Sequence, residues 1–422
     1  MNRIVVAYSG VHQAFQIALA AWEMGELDRF FCSIFDAPGK WGGALSRVLG
    51  PDATVNRRCE GIDPSRVTEN PWPWLRHRLR AAVSRRAAND WFSVNEAFDS
   101  WTARRVRQSS AGIFVGSETC ARYCFDAARE RGMIRVLDAP QLYPTFVENL
   151  LTRAADDTGT EPPARLDPPA MAERKQSEFS SANLLLVYSE VHQRSFAEAG
   201  FKHFFQCPLW VDPKLWFPES ACQRDQKPGK RPLKVLFVGA ISLRKGIPYL
   251  LRAARLCGPG IKLSLIGTVA PELQKLVQEH SGLIELLPAQ SKNSLRETYS
   301  KHDVLVLPSL ADSFGFVALE AMACGLPVVV SQNCGVPVPD QTWRIPIMNA
   351  EAIAERLLLY AHDLALCRAH ADDAIQFAAE FTPERYRNHL KALFDALLQG
   401  KLPPATSDPI SPVQAKQEAT SQ

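Results

Sequence analysis

The stretch Asp303-Val304-Leu305-Val306-Leu307-Pro308-Ser309-Leu310-Ala311-Asp312-Ser313-Phe314-Gly315-Phe316-Val317-Ala318-Leu319-Glu320-Ala321-Met322-Ala323-Cys324-Gly325-Leu326-Pro327-Val328-Val329-Val330 decides the fold. It reads as a buried strand ending at Leu307, a loop carrying an acid and a glycine, a helix from about Phe316 to Cys324 stopped by Gly325, and another buried strand. Short apolar runs alternating with helices predict parallel sheets covered on both faces. Ligands of such sheets bind outside the carboxyl ends of the strands. Backbone N–H groups near Ser313 to Val317, with the positive helix end behind them, are expected to face that edge as an anion site. Gly315 lets a phosphate approach the chain, and Glu320, about one turn into the helix, can accept two hydrogen bonds from vicinal hydroxyls. The plainer alternative is that Asp312 caps a helix and Glu320 is solvated.

The same unit recurs on both sides. Toward the amino terminus, Val11, Ala14, Phe15, Ala18, Leu19 and Trp22 follow an opening strand at helical spacing. The pattern returns at Ile113 to Gly116, a helix from about Ala121 to Arg131, Met133 to Leu137, and Leu184 to Val187, with Ser189 placed to cap the helix ending near Gly200. A second series follows the Pro- and charge-rich stretch 218–232, with strands at Val235 to Val238, Leu263 to Ile266 and Ile284 to Leu286. The expectation is an α/β chain of two Rossmann-like, doubly wound parallel-sheet domains facing across a cleft. Their bounds are 1–210 and 211–378, and a helix at about 379–398 returns to the first domain. Residues 155–170 read as a Pro-rich surface loop and 399–422 as a disordered tail.

At 422 residues, two or three domains are expected. Lys and Arg total 48 against 45 Asp and Glu, a formal charge of +3. That balance excludes a surface committed wholly to nucleic acid, so any basic site must be local. The ten cysteines form no C-x-x-C pair, and Cys120 and Cys124 read as buried thiols of a protein in a reducing cytosol. The opening apolar run is too short for a signal peptide, and no run of about 18 apolar residues exists to span a membrane.

The Asp303–Val330 string resembles the E-x7-E region of the family 4 glycosyltransferases (glycosyl transferases group 1), with Asp312 in place of the first glutamate. The resemblance implies the GT-B fold and retaining transfer of a hexose from a UDP- or GDP-sugar to a saccharide or lipid-linked acceptor in glycoconjugate or polysaccharide synthesis. It implies that Asp312 contacts the donor sugar and Glu320 the ribose, beside Ser313, Phe314 and Gly315. Val235-Leu236-Phe237-Val238-Gly239-Ala240-Ile241-Ser242-Leu243-Arg244-Lys245-Gly246 is similar to the family's G-R-x-KG donor loop. Ala240 stands for the usual arginine, leaving Arg244 and Lys245 as the cations for the diphosphate. No D-x-D motif is present and no metal or cofactor is expected, the nucleotide sugar being a substrate. Gly267 matches the strand end beside the donor base, and Gly335 a glycine after the following strand. Leu209 to Pro218 matches the interdomain stretch, with Trp210 for the usual glycine. Ser9-Gly10-Val11-His12 matches the first glycine-rich loop, placing Gly10 and His12 on the acceptor side. Asp138 and Tyr143 stand near where many members carry a histidine. These departures leave open a non-catalytic partner subunit, and the fold alone leaves open a nucleotide-sugar epimerase.

Between Pro71 and Arg107 lie Arg76, Arg78, Arg80, Arg85, Arg86, Arg104, Arg105 and Arg107, interleaved with four tryptophans and opposed by Asp90, Glu96 and Asp99. This segment reads either as a surface for anionic lipid, making the protein peripheral on a membrane, or as a solvated helix pair with tryptophans in the core.

Overall fold

The computed structural model describes residues 4–11, 13–49, 57–83, 90–161, 166–219 and 231–403. Seven parallel strands form the first sheet: β1 (Ile4–Tyr8), β2 (Leu27–Cys32), β3 (Val67–Glu69), β4 (Ile113–Ser117), β5 (Ile134–Asp138), β6 (Leu184–Val187) and β7 (Phe204–Gln206). Their order is β3-β2-β1-β4-β5-β6-β7. Six more form the second: β8 (Leu233–Val238), β9 (Ile261–Ile266), β10 (Ile284–Leu287), β11 (Val304–Leu307), β12 (Val328–Ser331) and β13 (Arg344–Ile345), in the order β10-β9-β8-β11-β12-β13. In both, the order reverses beside the first strand, which opens a crevice at its carboxyl end.

Alternation along a strand explains burial on both faces. In β1, Ile4 and Val6 join one apolar cluster while Val5 and Ala7 join the other, and β6 divides the same way between Leu184/Leu186 and Leu185/Val187. Nothing polar is needed on either side, which is why these strands read as unbroken apolar runs.

The chain crosses between the sheets near Val211, whose N–H donates to the Phe381 carbonyl at 2.9 Å, and Trp210 packs on Tyr386 with ring centroids 4.5 Å apart. The helix Pro383–Leu398 lies against the helix Gln13–Glu23, burying Tyr386, Leu390, Leu393, Phe394 and Leu397. Arg387 and Lys391 both pair with Glu23. Five such side chains are worth gross burial of about 10 kcal/mol.

One local expectation is corrected. Residues 155–158 are not loop: the helix Pro144–Thr158 runs through them and ends at Gly159, while the next helix starts at Pro169. Ala154 and Ala155 are buried, so an apolar face carries the helix through a polar-looking end. The arginine-rich segment forms helices Trp72–Val83 and Trp91–Val106, and Arg85 and Arg86 lie outside the described residues. Its tryptophans divide. Trp101 packs on Phe31 and Phe98, with Arg105 over its ring at 3.9 Å, whereas Trp72 and Trp91 are exposed. Of the described cysteines all are free thiols, and all but Cys59 are buried. No helix among the described residues is long and apolar enough to cross a membrane.

Candidate active site

The carboxyl ends of β8, β9 and β11 bring the second domain's predicted residues together. After β8, Gly239 precedes a loop closed by the single turn Leu243–Lys245 and Gly246. Gly246 has φ +71°, and a Cβ there would stand 2.0 Å from the Pro308 carbonyl oxygen, so only glycine allows this loop to lie on the one after β11. Gly267, at φ +147°, likewise leaves no room for a Cβ against the Gly239 carbonyl. The two loops are then stitched together: Leu310 N–H donates to the Arg244 carbonyl at 2.8 Å, and Arg244 Nε to the Ala311 carbonyl at 2.9 Å.

This stitching places Lys245 Nζ 2.5 Å from Asp312 Oδ2. Burial alone would raise the Asp312 pKa, but the Lys245 ammonium, with Arg244 and backbone N–H groups, outweighs it and holds the carboxyl below its usual range. Oδ1 of the same carboxylate accepts from Gly315 N–H at 3.1 Å. Asp312 therefore holds the loop through Gly315 N–H and faces the Lys245 cation at once, and it does not cap the helix as the plainer alternative had it. The anion-site expectation is corrected in part, because Gly315 N–H is taken by Asp312. The helix Phe316–Ala323 itself receives no side-chain cap at Gly315, so its first N–H groups are left without a side-chain acceptor.

Glu320 is half-buried on that helix. Burial raises its pKa to about 7, against the opposing Lys292 charge and a hydrogen bond from Tyr299. Phe314 is buried and meets the exposed Phe316 edge-on. Ser313 turns away from the donor loop: its Oγ donates to the Pro140 carbonyl at 2.8 Å, and its own carbonyl accepts from Ser189 Oγ at 2.7 Å. Gly335 packs on Ser189 as well, where a Cβ would lie 2.3 Å from Oγ. Ser189 also caps its helix through His192 N–H. Arg194 donates to Asn333 Oδ1 at 2.7 Å, and the Asn333 carbonyl accepts from Asp312 N–H at 3.0 Å. The first domain is thus bonded directly to the loop that presents Asp312.

On the facing side, Gly10 lies where a Cβ would meet the Tyr8 ring at 2.7 Å, and His12 lies outside the described residues. Asp138 does not reach the cleft. It is buried, bonded by Ser117 and Tyr188, and burial raises its pKa to about 6 despite those bonds. The Tyr143 hydroxyl donates to Gln176 Oε1. What the sequence did not reveal is Thr119, just past β4. This β-branched residue is held at φ +74°, a left-handed conformation that costs roughly 1–3 kcal/mol. Its N–H donates to Glu178, its carbonyl accepts from Arg174, and its Oγ1 accepts from Asn95 Nδ2, which bonds Ser9 through Oδ1. Arg174 is itself buried against Asp99 and Glu178. These partners lie up to 86 residues apart, beyond any local signal.

Residues 221–376 match the family of glycosyl transferases group 1. The second domain is a group 1 glycosyltransferase domain. D-inositol 3-phosphate glycosyltransferase of Segniliparus rotundus is 31% identical over 220 residues, 46% of this chain and 47% of that protein. The chain spans about half the length of the inositol-phosphate glycosyltransferases it matches. Sucrose-phosphate synthase from Thermosynechococcus elongatus superimposes with a TM-score of 0.63 at 17% identity, covering 95% of this chain and 100% of that one. Anabaena HepE in complex with UDP gives 0.60 at 16%, covering 94% and 100%. The shared architecture is the GT-B fold, and the group 1 domain is its second half.

Proposed function

We propose that the chain transfers a hexose, with retained configuration, from a UDP- or GDP-sugar to a saccharide or lipid-linked acceptor in glycoconjugate synthesis. The observation that carries this is the Lys245–Asp312 pair, seated between glycine turns at the strand ends of a group 1 domain and facing the first domain. Lys245 meets the diphosphate together with the uncapped N–H groups of the Phe316–Ala323 helix, so no metal is called for. Arg244 pins the loop through its Nε and adds positive charge beside it. Gly239 and Gly267 leave space for the nucleotide, and Glu320 takes the ribose hydroxyls. Asp312 contacts the donor sugar once the diphosphate has drawn Lys245 away. The departing phosphate accepts the acceptor proton, so no protein base is required. The bound UDP of the HepE structure supports a nucleotide donor of this kind.

The site acts from the cytosol. Trp72, Leu79 and Trp91 are exposed among Arg76, Arg78 and Arg80, with exposed Trp41 against Trp72 at 5.8 Å, and this face docks on anionic lipid. A calorimetric panel of UDP, GDP and their hexose conjugates tests the donor reading. Micromolar binding of one base, with release of the nucleoside diphosphate on adding acceptor extracts, is the expected result. No binding by any nucleotide overturns it. Binding without turnover, restored by a second protein, favours instead a partner subunit, a reading that Ala240 supports.

A further inference from the structure

The first domain carries a cavity that the donor site does not use. Its volume is about 630 Å³, within the range of about 300–1,000 Å³ usual for small-molecule sites, and it lies between the helices Pro144–Thr158 and Pro169–Ser181. The first helix lends it Glu148 and Thr152, the second Glu173 and Gln176, and Leu151 and Phe179 give it apolar ground. Tyr143, also in the lining, donates through its hydroxyl to Gln176 Oε1 at 2.9 Å and so ties one wall to the other.

The groove's place in the fold is fixed by Lys175, which lines it and is buried. Lys175 Nζ stands 2.9 Å from Glu118 Oε1, on the residue that follows β4, and donates at 3.4 Å to Gln141 Oε1, just past β5. Both partners mark the carboxyl edge of the first sheet, where ligands of parallel sheets bind. The helix Pro144–Thr158 also lies against the single turn Leu243–Lys245 of the donor loop, and Arg252 of the second domain bonds its far end at Asp157, 3.1 Å away. One wall of the groove is therefore a helix that touches the donor loop as well.

The lining sets the charge of what can enter. Glu148, Asp167 and Glu173 are its acids and Lys175 its cation. The Lys175 ammonium is already matched by Glu118 and Asp167, at 2.9 and 2.8 Å, and Glu173 pairs with Arg122 at 3.5 Å. The half-buried Glu148 carboxylate has no ion-pair or hydrogen-bond partner among the described residues. A phosphate in this groove would meet net negative charge, with the one cation of the lining already engaged. A carboxylate, an amide, a phenol and apolar ground suit instead a sugar ring, whose hydroxyls donate to the acid and whose C–H faces lie on the apolar side.

We propose that this groove holds an uncharged saccharide unit of the acceptor, with Glu148 accepting from its hydroxyls, and that it turns phosphate-bearing acceptors away. That the saccharide is an acceptor rests on the glycosyltransferase reading; the preference for an uncharged sugar rests on the groove's own lining.

The full chain is applied to an array of neutral oligosaccharides of glucose, galactose, mannose and N-acetylglucosamine printed beside their phosphorylated forms, and the glycan held is then titrated calorimetrically. A neutral glycan is expected to be retained and its phosphorylated form rejected. Glu148→Gln should weaken that glycan at least about tenfold, the scale of a hydrogen bond to a charged group, without lowering the thermal midpoint, because no partner within the described chain is lost. Ala172→Trp, at an exposed position of the lining on the other helix, should block the groove by bulk. No neutral glycan retained, tighter binding of a phosphorylated form, or an affinity left unchanged by either variant overturns the proposal. UDP and GDP are titrated alongside. Glu148-dependent glycan binding by a chain that binds neither nucleotide would keep the groove and reject the donor reading, whereas nucleotide binding with no glycan held would keep the donor reading and reject the groove.

Discussion

Replacing Asp312 by Asn keeps the side chain's shape and its acceptor toward Gly315 N–H, 3.1 Å away, but removes the charge that faces Lys245 at 2.5 Å. The Asp312 side chain is 13% exposed and that of Lys245 23%, so the pair lies between a surface bridge and a fully buried one. Removing one partner of a buried pair costs about 3–5 kcal/mol, and an exposed pair contributes about 0–1. An intermediate loss of about 1–3 kcal/mol follows, which lowers the melting midpoint by several degrees for a domain of this size. Because the Asp312 carboxyl is held below its usual range, that increment is present above the unfolded pKa of about 3.9 and is lost as pH falls through the folded value. The gap between the two proteins should therefore close in acid. Function moves the other way on the two substrates. UDP or GDP binding should hold or tighten, since the diphosphate no longer competes with Asp312 for Lys245. Transfer should fall by about a hundredfold or more, the scale of a misplaced sugar contact. Release of nucleoside diphosphate from the cognate sugar nucleotide, with calorimetry alongside, measures both. Wild-type turnover in Asp312→Asn would refute the catalytic role, and a tenfold loss of nucleotide affinity would refute the competition between carboxylate and diphosphate.

Three further outcomes are expected. Lys245→Ala should weaken UDP or GDP binding by about 1.5–3 kcal/mol, read by calorimetry, with Arg244→Ala milder because its Nε serves the Ala311 carbonyl. Glu320→Gln should weaken nucleotide binding at pH 8. The raised Glu320 pKa contributes stability that is full below about 4.3 and is lost as pH rises through about 7, so the variant should melt higher than wild type at pH 8 and alike at pH 4. Trp72→Ser combined with Arg76→Glu and Arg80→Glu should abolish sedimentation with anionic liposomes, and equal sedimentation with neutral vesicles would remove membrane docking.

The strands read most directly are those buried on both faces: β1, β4, β6, β8, β9, β11 and β12 carry apolar runs that meet a core, with breaks such as Lys262. β5 and β10 were read as well, although no residue of β10 is fully buried. β2 was not, since Asp28 and Arg29 interrupt it, and β3, β7 and β13 are two or three residues long, too short to carry a period. In the site, Gly239, Lys245, Asp312, Gly315 and Glu320 could be placed because each is local to one strand, turn and helix. The direction of Ser313 could not, because its two partners, Pro140 and Ser189, lie in the other domain. Thr119 escaped for a related reason: what sets it apart is a backbone angle.

The helix Pro383–Leu398 also constrains how the chain is made. Ribosomes release the first sheet long before this helix exists, so the groove along Gln13–Glu23 stays bare while the whole group 1 domain is synthesised. The domain begun first is completed last. A nascent chain arrested anywhere between Val211 and Phe381 would display an unfilled apolar seam, a feature by which holding chaperones could distinguish it from a finished protein.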